Sequence, residues 1–515
     1  MGRAKSEDRS RDDEFLTIIA SQAAHIDVLT ARVDSLTARL DAQTAQMQSQ
    51  RLQMEAIAAE NVALRGKVAE LEYRLGLNST NSSKPPSSDG LKKPSRVRSL
   101  REASGKNPGG QKGHKGETLK QVAHPQNVVD HRPGSCSGCG AALEHDVSIG
   151  TTIRQVFDLP DPQPLIVTEH RAHQCRCARC GVVTGAAFPE GVNAPVQYGT
   201  RIAAFVVYLQ HYQLLPEDRL AELMADLFGV ELCAASVANM SRSCASRLEG
   251  FATLVRDLVA GAPVKHMDET GIRIGGKTKW LHVMCTTMLT AYRISPKRGS
   301  LFSDDVEVSG IVVHDHWKPY YTMPGVEHAL CNAHHLRELK ALVEIEKEDW
   351  ARRMQTLLRR AAHAASLSRD GGTGLTPRLM DLFSHRYDAI LAAGLAYHNA
   401  QPPLTRPTAK EGLRKRGRKP RRTGHNLIAR LMERKEDVLR FLVDPTVPFT
   451  NNQAERDIRM MKLRQKISGG FRSDQGAENF ATIRSFISTT KKQGWKIIEA
   501  LTANPQALIG RLRLA

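Results

Sequence analysis

The chain has 515 residues, carries 73 Lys and Arg against 54 Asp and Glu, and has a formal net charge of +19. That length exceeds a single hydrophobic core, so several domains are expected, and the cationic excess favours a polyanionic partner. No apolar run is long enough to span a membrane and the charged start MGRAKSEDRSRDDEF does not read as a secretory signal, so a cytoplasmic protein is expected.

In chain order, Phe15 to Leu75 keep an unbroken 4,3 seam, mostly apolar but with Gln22, Gln43, Gln50 and Asn61 in it, and no Pro. Val33, Leu40, Met54, Asn61 and Val68 fall at a when Leu29, Leu36, Ile57, Leu64 and Leu71 fall at d. The spacing predicts a coiled coil over residues 14–76, ~90 Å long at the helical rise. Asn61 at a favours a parallel two-stranded register, so a homodimer or higher oligomer is expected. A single helix packed along the protein's own body is the competing reading, and the narrow a/d stripe argues against it.

Ser, Pro, Gly and Lys dominate residues 77–122, and little there could form a core. A basic linker is expected, whose cations, Lys112 and Lys115 among them, follow a phosphate backbone or stay solvated. Residues 123–190 hold CSGC (Cys136, Cys139) and CARC (Cys177, Cys180). Zn²⁺ takes four soft ligands at tetrahedral corners, and two C-x-x-C turns supply two thiolates each. One structural zinc ion is expected, with Cys175 as a spare thiol; four thiolates leave no open catalytic position.

Residues 191–260 read as helical. PEDRLAELMADLFGVELCAASVANMSR has the pattern helix, Gly-containing turn, helix, with Leu220, Leu223, Leu227 and Val237 as its small core. Ser236, Asn239 and Arg242 then lie on the second helix, where a DNA groove could receive them; an ordinary helical hairpin has the same pattern. Residues 261–335 are β-rich: VKHM, TGIRIGG, KWLHVMCTT, LTAYRIS, GIVVHD and HALC read as strands, with a hairpin turn at Gly275-Gly276. Residues 336–445 turn helical and contain a basic run with Arg414, Lys415, Arg416, Arg418 and Lys419, a second candidate for phosphate contacts. Residues 446–495 return to the core, and 496–515 form a tail.

Three carboxylates stand out. Asp268 ends the apolar part of VKHMDETGIRI, Asp315 follows the strand-like GIVVH, and Glu455 lies one turn into the helical TNNQAERDIRMMKLRQK. Two Asp at strand ends and a Glu on a late helix are how an RNase H-like fold would gather ligands for two Mg²⁺ (or Mn²⁺) ions in phosphodiester chemistry. The long gap between Asp315 and Glu455 requires a helical insertion, where residues 336–445 lie. Strand alternation turns Glu269 away from the face of Asp268 and separates Asp315 from His314 and His316. Thr450-Asn451-Asn452 offers capping side chains for the last helix. Arg456, Arg459 and Lys462 follow Glu455 on that helix and could meet phosphates beside a metal site. Cys331 and His334 form a C-x-x-H; two ligands fall short of a zinc site, so a packing or supporting role is expected.

These residues, with NSTNSSKPPSSDG, GGQKGHKG, HMDETG, HDHWKPY, CNAHHLREL and TNNQAERDIRMMKLRQKISGGF, run in an order that resembles the large DDE transposase of the insertion-sequence sixty-six family, over nearly the whole chain. The resemblance implies a multidomain α/β protein: an N-terminal coiled coil, a small four-cysteine zinc module, an upstream DNA-binding region and an RNase H-like catalytic core with a helical insertion. It implies Asp268, Asp315 and Glu455 as the acid triad, two Mg²⁺ ions per active site, and DNA partners that include terminal inverted repeats and target DNA. Small accessory proteins of the same element are a further partner it admits. His316 stands where a small residue is commoner, and after Trp495 the chain ends in KIIEALTANPQALIGRLRLA, short of the segment many members carry. Two competing readings are a catalytically silent domesticated DNA-binding protein and an RNase H-like nuclease or resolvase. Three intact acids argue against the first; the zipper and zinc module argue against the second.

Overall fold

The chain opens with one long helix, α1 (Ala4–Gly76), followed by a small antiparallel hairpin of β1 (Gln174–Arg176) and β2 (Val183–Gly185). The computed structural model describes residues 4–78, 81–82, 120–143, 148–158, 165–402, 404 and 421–514, without the side chains of 4–13 and 15. Contacts divide the chain into two compact units. One comprises Met1–Pro94, His334–Leu358 and Asp381–Lys435; the other comprises Ser95–Ala333, Arg359–Met380 and Glu436–Ala515. Among the described residues, no helix is long and apolar enough to cross a membrane.

The second unit is built on a mixed five-stranded sheet. After α2 (Thr200–Val207), α3 (Glu217–Phe228) and α4 (Ala234–Ala260) come β3 (Val264–Ile274), β4 (Lys277–Cys285), β5 (Thr290–Ser295), β6 (Gly310–His314) and β7 (Val326–Leu330). The strand order is β5-β4-β3-β6-β7; β3, β4 and β5 run antiparallel as a meander, and β6 and β7 add in parallel to β3. The expected hairpin at Gly275-Gly276 joins β3 to β4: both glycines have positive φ (54° and 76°), as a two-residue turn that follows the strand twist requires. VKHM and TGIRI are one strand of eleven residues rather than two. Pairing with β4 runs unbroken from His266 to Ile274 and carries β3 through the polar Asp268-Glu269 pair.

Helices α5 (Asn332–Ala341), α6 (Asp349–Asp370), α7 (Pro377–Ala400), α8 (Thr423–Glu433) and α9 (Lys435–Val443) follow, then α10 (Asn452–Ile467), α11 (Asp474–Lys492), α12 (Ile497–Thr502) and α13 (Pro505–Ile509). On one face of the sheet, Ile272, Ile274, Leu281 and Val283 pack against Ala454, Ile458 and Met461 of α10. On the other, Met267, Met284 and Ala291 pack with Leu248, Phe251, Val255 and Val259 of α4. Each of the larger buried side chains (Ile, Leu, Val, Met, Phe) contributes roughly 1.5–3 kcal/mol of transfer free energy, the alanines less. Edge strand β5 does not offer its backbone to other chains. Thr489 and Ser485 of α11 accept its Thr290 and Tyr292 N–H groups at 3.1 and 2.9 Å.

The expected boundary at residue 260 is not a core boundary. α4 is a single helix of 27 residues whose second half belongs to the sheet's own core. The small core upstream holds Leu220 and Val237 as expected, joined by Val206, Met224 and Val230, while Leu223 is only partly buried. Leu227 is 50% exposed and drops out, because α3 turns that side to solvent before Gly229 ends it.

The first unit gathers the end of α1 with helices of the insertion. Tyr73 is pushed up to about 12 by burial and by Glu346, Glu338 and Glu348 nearby. Residues 77–122 are not all linker: Asn81 is 2% exposed, accepts from the Asn78 N–H, and donates to Gly76 O and Glu344. The apolar seam of α1 remains open to solvent, with Leu29, Leu36, Leu40 and Leu64 each more than half exposed.

Candidate functional site

Asp268 lies in the interior of β3, which corrects the expectation of a strand end. It does lie where the parallel half of the pairing stops. β3 pairs with β6 from Val264↔Ile311 to His266↔Val313. The same register carried two residues further sets Asp268 opposite Asp315, the residue that follows β6, and strand alternation then turns both to the same face. Asp268 shares the parity of Ile272 and Ile274, so that face is the one covered by α10, which carries Glu455. The Asp315 carboxylate accepts the Trp317 N–H at 3.0 Å and bends the chain into a short helical turn at Lys318–Thr322.

The start of α10 is tied to β3 by one side chain. Asn451 donates to Met267 O at 2.7 Å, and its carbonyl lies 2.8 Å from Nδ1 of His266. Burial pushes His266 down to about 4, so the ring is neutral at pH 7 and donates to the amide oxygen. The Asn451 N–H donates to Sγ of Cys331 at 3.1 Å, and the Glu455 N–H donates to Asn451 O at 3.2 Å. The expected side-chain cap at this helix start is therefore not made: Asn451 spends its amide on the neighbouring strand. Cys331 is 1% exposed, with its sulfur within 4.8 Å of a Glu455 carboxylate oxygen, so the expected two-ligand count is too low: a carboxylate lies within reach as well. Further along α10, Lys492 and Thr290 reach Asp457 at 2.6 and 3.0 Å and fix the helix to α11 and β5.

The three acids affect one another. Burial first, then the charges of Glu269, Asp315 and Glu455, push Asp268 up to about 8, against a bond from the Glu269 N–H that favours its anion. Hard carboxylate oxygens that repel one another around a half-buried point are a donor set suited to divalent cations such as Mg²⁺ or Mn²⁺. Alternation turns Glu269 to the opposite face, as expected, yet its side chain is only 2% exposed. Sequence reasoning did not find Asn451's tie to β3, nor the partners of Glu269; no period or spacing marks a contact between residues so far apart.

Arg456, Arg459 and Lys462 are exposed along α10 beside Glu455. Asn239 and Arg242 are exposed on the first turns of α4, while Ser236 is half-buried with its hydroxyl 3.3 Å from Sγ of Cys233. Lys112, Lys115, Arg414, Lys415, Arg416, Arg418 and Lys419 lie outside the described residues.

The two C-x-x-C segments fold alike. The Cys136 N–H donates to Ala141 O and the Gly140 N–H to Cys136 O; the Cys177 N–H donates to Val182 O and the Gly181 N–H to Cys177 O, all at 2.8–2.9 Å. Gly140 and Gly181 both have φ near +75° (76° and 74°), a left-handed turn that lets backbone N–H groups face the first sulfur. Bonds from the backbone of Cys139 and Gly138 lower the Cys136 thiol, and those from Cys180 and Arg179 lower Cys177. Lowered thiols in twin knuckles fit a Zn²⁺ ion. Among the described residues, the four sulfurs are not gathered within 4.8 Å of one another, whereas each knuckle is formed. Cys175 is exposed on β1, two residues before the second knuckle.

Comparison with known proteins adds three family matches. The model described as "Transposase IS66 family" covers residues 195–479, more than half of the chain. The "zinc-finger binding domain of transposase IS66" covers 133–181, a span that includes all four knuckle cysteines, and supports structural zinc. A family of unknown function (DUF6444) covers 19–120. The chain is also 38% identical over 77 residues to the uncharacterized protein y4jO of Sinorhizobium fredii, a match spanning 14% of this chain and 24% of that one.

Proposed function

This chain belongs to the IS66 transposase family, and from that premise we propose that it cleaves and joins DNA at the ends of an insertion sequence, using an RNase H-like core. The observation that supports the reading is that Asp268 lies on the sheet face covered by the helix that bears Glu455, close enough for the charges of Asp315 and Glu455 to raise its pKa. Asp268, Asp315 and Glu455 would hold two Mg²⁺ or Mn²⁺ ions, which when bound supply Lewis-acid stabilisation of the attacking and leaving oxygens in phosphodiester transfer. Water and then a 3′-hydroxyl would attack phosphorus in line. The rest is the work of the chain. Asn451, fixed to His266 and Met267, sets the start of α10 and so the place of Glu455. Arg456, Arg459 and Lys462 would hold the flanking phosphates, and Asn239 and Arg242 would add sequence preference. The four-cysteine module would serve end recognition.

The exposed seam of α1 supports a parallel dimer that brings two catalytic cores to two DNA ends, since each chain carries one triad. Light scattering of the 14–76 fragment should give a dimer; a concentration-independent monomer would remove this part of the proposal.

The test of the chemistry is cleavage of a terminal-repeat duplex in Mg²⁺ by Asp268→Asn, Asp315→Asn and Glu455→Gln. Each should lower the rate by roughly 10³-fold or more while binding the duplex as the wild type does. Near-wild-type cleavage by any of the three would sink the triad assignment.

A further inference from the structure

In the triad reading the loop after β6 presents Asp315 to Asp268, and Glu269 of β3 reaches that loop from beneath. Both carboxylate oxygens of Glu269 are engaged. Tyr320 donates its hydroxyl to Oε2 at 2.5 Å. Arg298 donates Nε and Nη2 to Oε1 at 2.9 and 2.7 Å. Tyr320 is 1% exposed and sits in the helical turn that Asp315 begins, with its ring packed on His314 and Trp317 at 4.6 and 5.7 Å between centroids. Arg298, on the loop after β5, stacks on Trp317 at 4.3 Å and on Trp280 of β4 at 5.2 Å. Trp317 is the residue whose N–H holds the Asp315 carboxylate.

Glu269 therefore joins three pieces of chain under the acid site: its own strand β3, the Asp315 loop through Tyr320, and the β5 loop through Arg298. Its oxygens are filled by strong donors, so it is not disposed as a metal ligand. Its negative charge is met by one guanidinium, and that guanidinium is clamped between two indole rings. We propose that Glu269 is a positioning residue: with Tyr320 and Arg298 it clamps the Asp315 loop against β3, so that Asp315 and Asp268 face a shared pair of metal ions at the right separation. The inference rests on the transposase reading above and deepens it. Small displacements of a ligand cost large factors in rate, which is why an anchor behind the ligands matters.

The test uses the full-length protein, a terminal-repeat duplex and Mn²⁺ as the metal probe. Glu269→Gln keeps the size of the side chain but removes the charge. It should lower kcat for cleavage roughly 10- to 100-fold with KM for the duplex unchanged, and raise the Mn²⁺ concentration for half-saturation, read by calorimetry without DNA, roughly tenfold. Tyr320→Phe keeps the ring packing and removes one arm; Arg298→Met removes the other. Each should reproduce part of the Glu269→Gln effect, and Tyr320→Phe added to Glu269→Gln should cost little more, because the three act as one clamp. Glu269→Gln should also change the emission of Trp317 and Trp280 as Arg298 leaves their faces, with Trp280→Phe as the assignment control.

If Glu269→Gln fails to fold, Tyr320→Phe and Arg298→Met decide alone. The proposal is overturned if Glu269→Gln cleaves and binds Mn²⁺ as the wild type does. It is equally overturned if Glu269→Gln is inactive while Tyr320→Phe and Arg298→Met are both normal, since Glu269 would then act directly on metal or substrate. Those outcomes leave the transposase reading standing so long as Asp268→Asn and Asp315→Asn are inactive. Normal cleavage by those two would remove the reading itself.

Discussion

The zinc knuckles and the acid site solve opposite problems. Each knuckle closes on its own backbone within six residues, so its geometry is set by the local order Cys-x-x-Cys-Gly and needs almost no core; Cys139, Cys177 and Cys180 are all exposed. The proposed acid site would draw Asp268, Asp315 and Glu455 from separate elements, and it depends on the pairing of β3 with β6 and the packing of α10 on the sheet. Local sites tolerate a poor core and depend on the metal they hold. Assembled sites depend on packing and on side chains, such as Asn451, that touch no substrate.

If that contrast is right, damage to one site should leave the other intact. Cys177→Ser should reduce bound zinc from about one ion per chain to none, and weaken binding to terminal-repeat DNA roughly tenfold or more, while the main thermal transition of the sheet core is unchanged. Full zinc in Cys177→Ser would refute the ligand set and point to Cys175. Asp315→Asn should do the reverse, with zinc and DNA binding kept and cleavage lost.

The assembled site should also be sensitive to residues outside it. Asn451→Ala leaves the His266 ring and Met267 O without their partner in a buried place. It should destabilise the core by about 2–4 kcal/mol in urea unfolding and reduce cleavage beyond what that loss of folded protein explains. An effect within about 0.5 kcal/mol would mean that α10 is held by apolar packing alone.

A third measurement uses pH. Folding raises Asp268 from its ordinary carboxylate range to about 8 in the metal-free chain. The stability tied to its protonated form is complete below the unfolded pKa and is lost as pH rises through that window. Metal-free wild type should therefore become less stable between about pH 4 and pH 8. Asp268→Asn should show a flatter profile and melt a few degrees higher at pH 8. Added Mn²⁺ should stabilise the wild type and not the variant. Identical pH profiles for the two would show that Asp268 is not the strained group.

The smallest effect belongs to the exposed stripe of α10. Arg459→Gln with Lys462→Gln should make the slope of log K against log salt shallower by about two, for specific and random DNA alike. Asn239→Ala should reduce only the preference for terminal-repeat DNA, by about 1–3 kcal/mol. An unchanged salt slope would leave α10 as a solvated face.

Much is legible in the order of residues alone. The 4,3 spacing gave the long helix, the Gly-flanked cysteine pairs gave the knuckles, and Gly275-Gly276 gave the turn between β3 and β4. These depend on contacts within a few residues, where order along the chain and geometry nearly coincide. What the tertiary structure decided is everything that depends on parity and register across elements. It merged two expected strands into β3 and so put Asp268 mid-strand. It ran α4 from an open, polar start into the sheet's core. It also sent the Asn451 amide to β3 rather than to its own helix. Glu269 shows the reason most sharply. Alternation along one strand determines which way it points, and only the packing of the loops after β5 and β6 determines that Arg298 and Tyr320 are there to meet it.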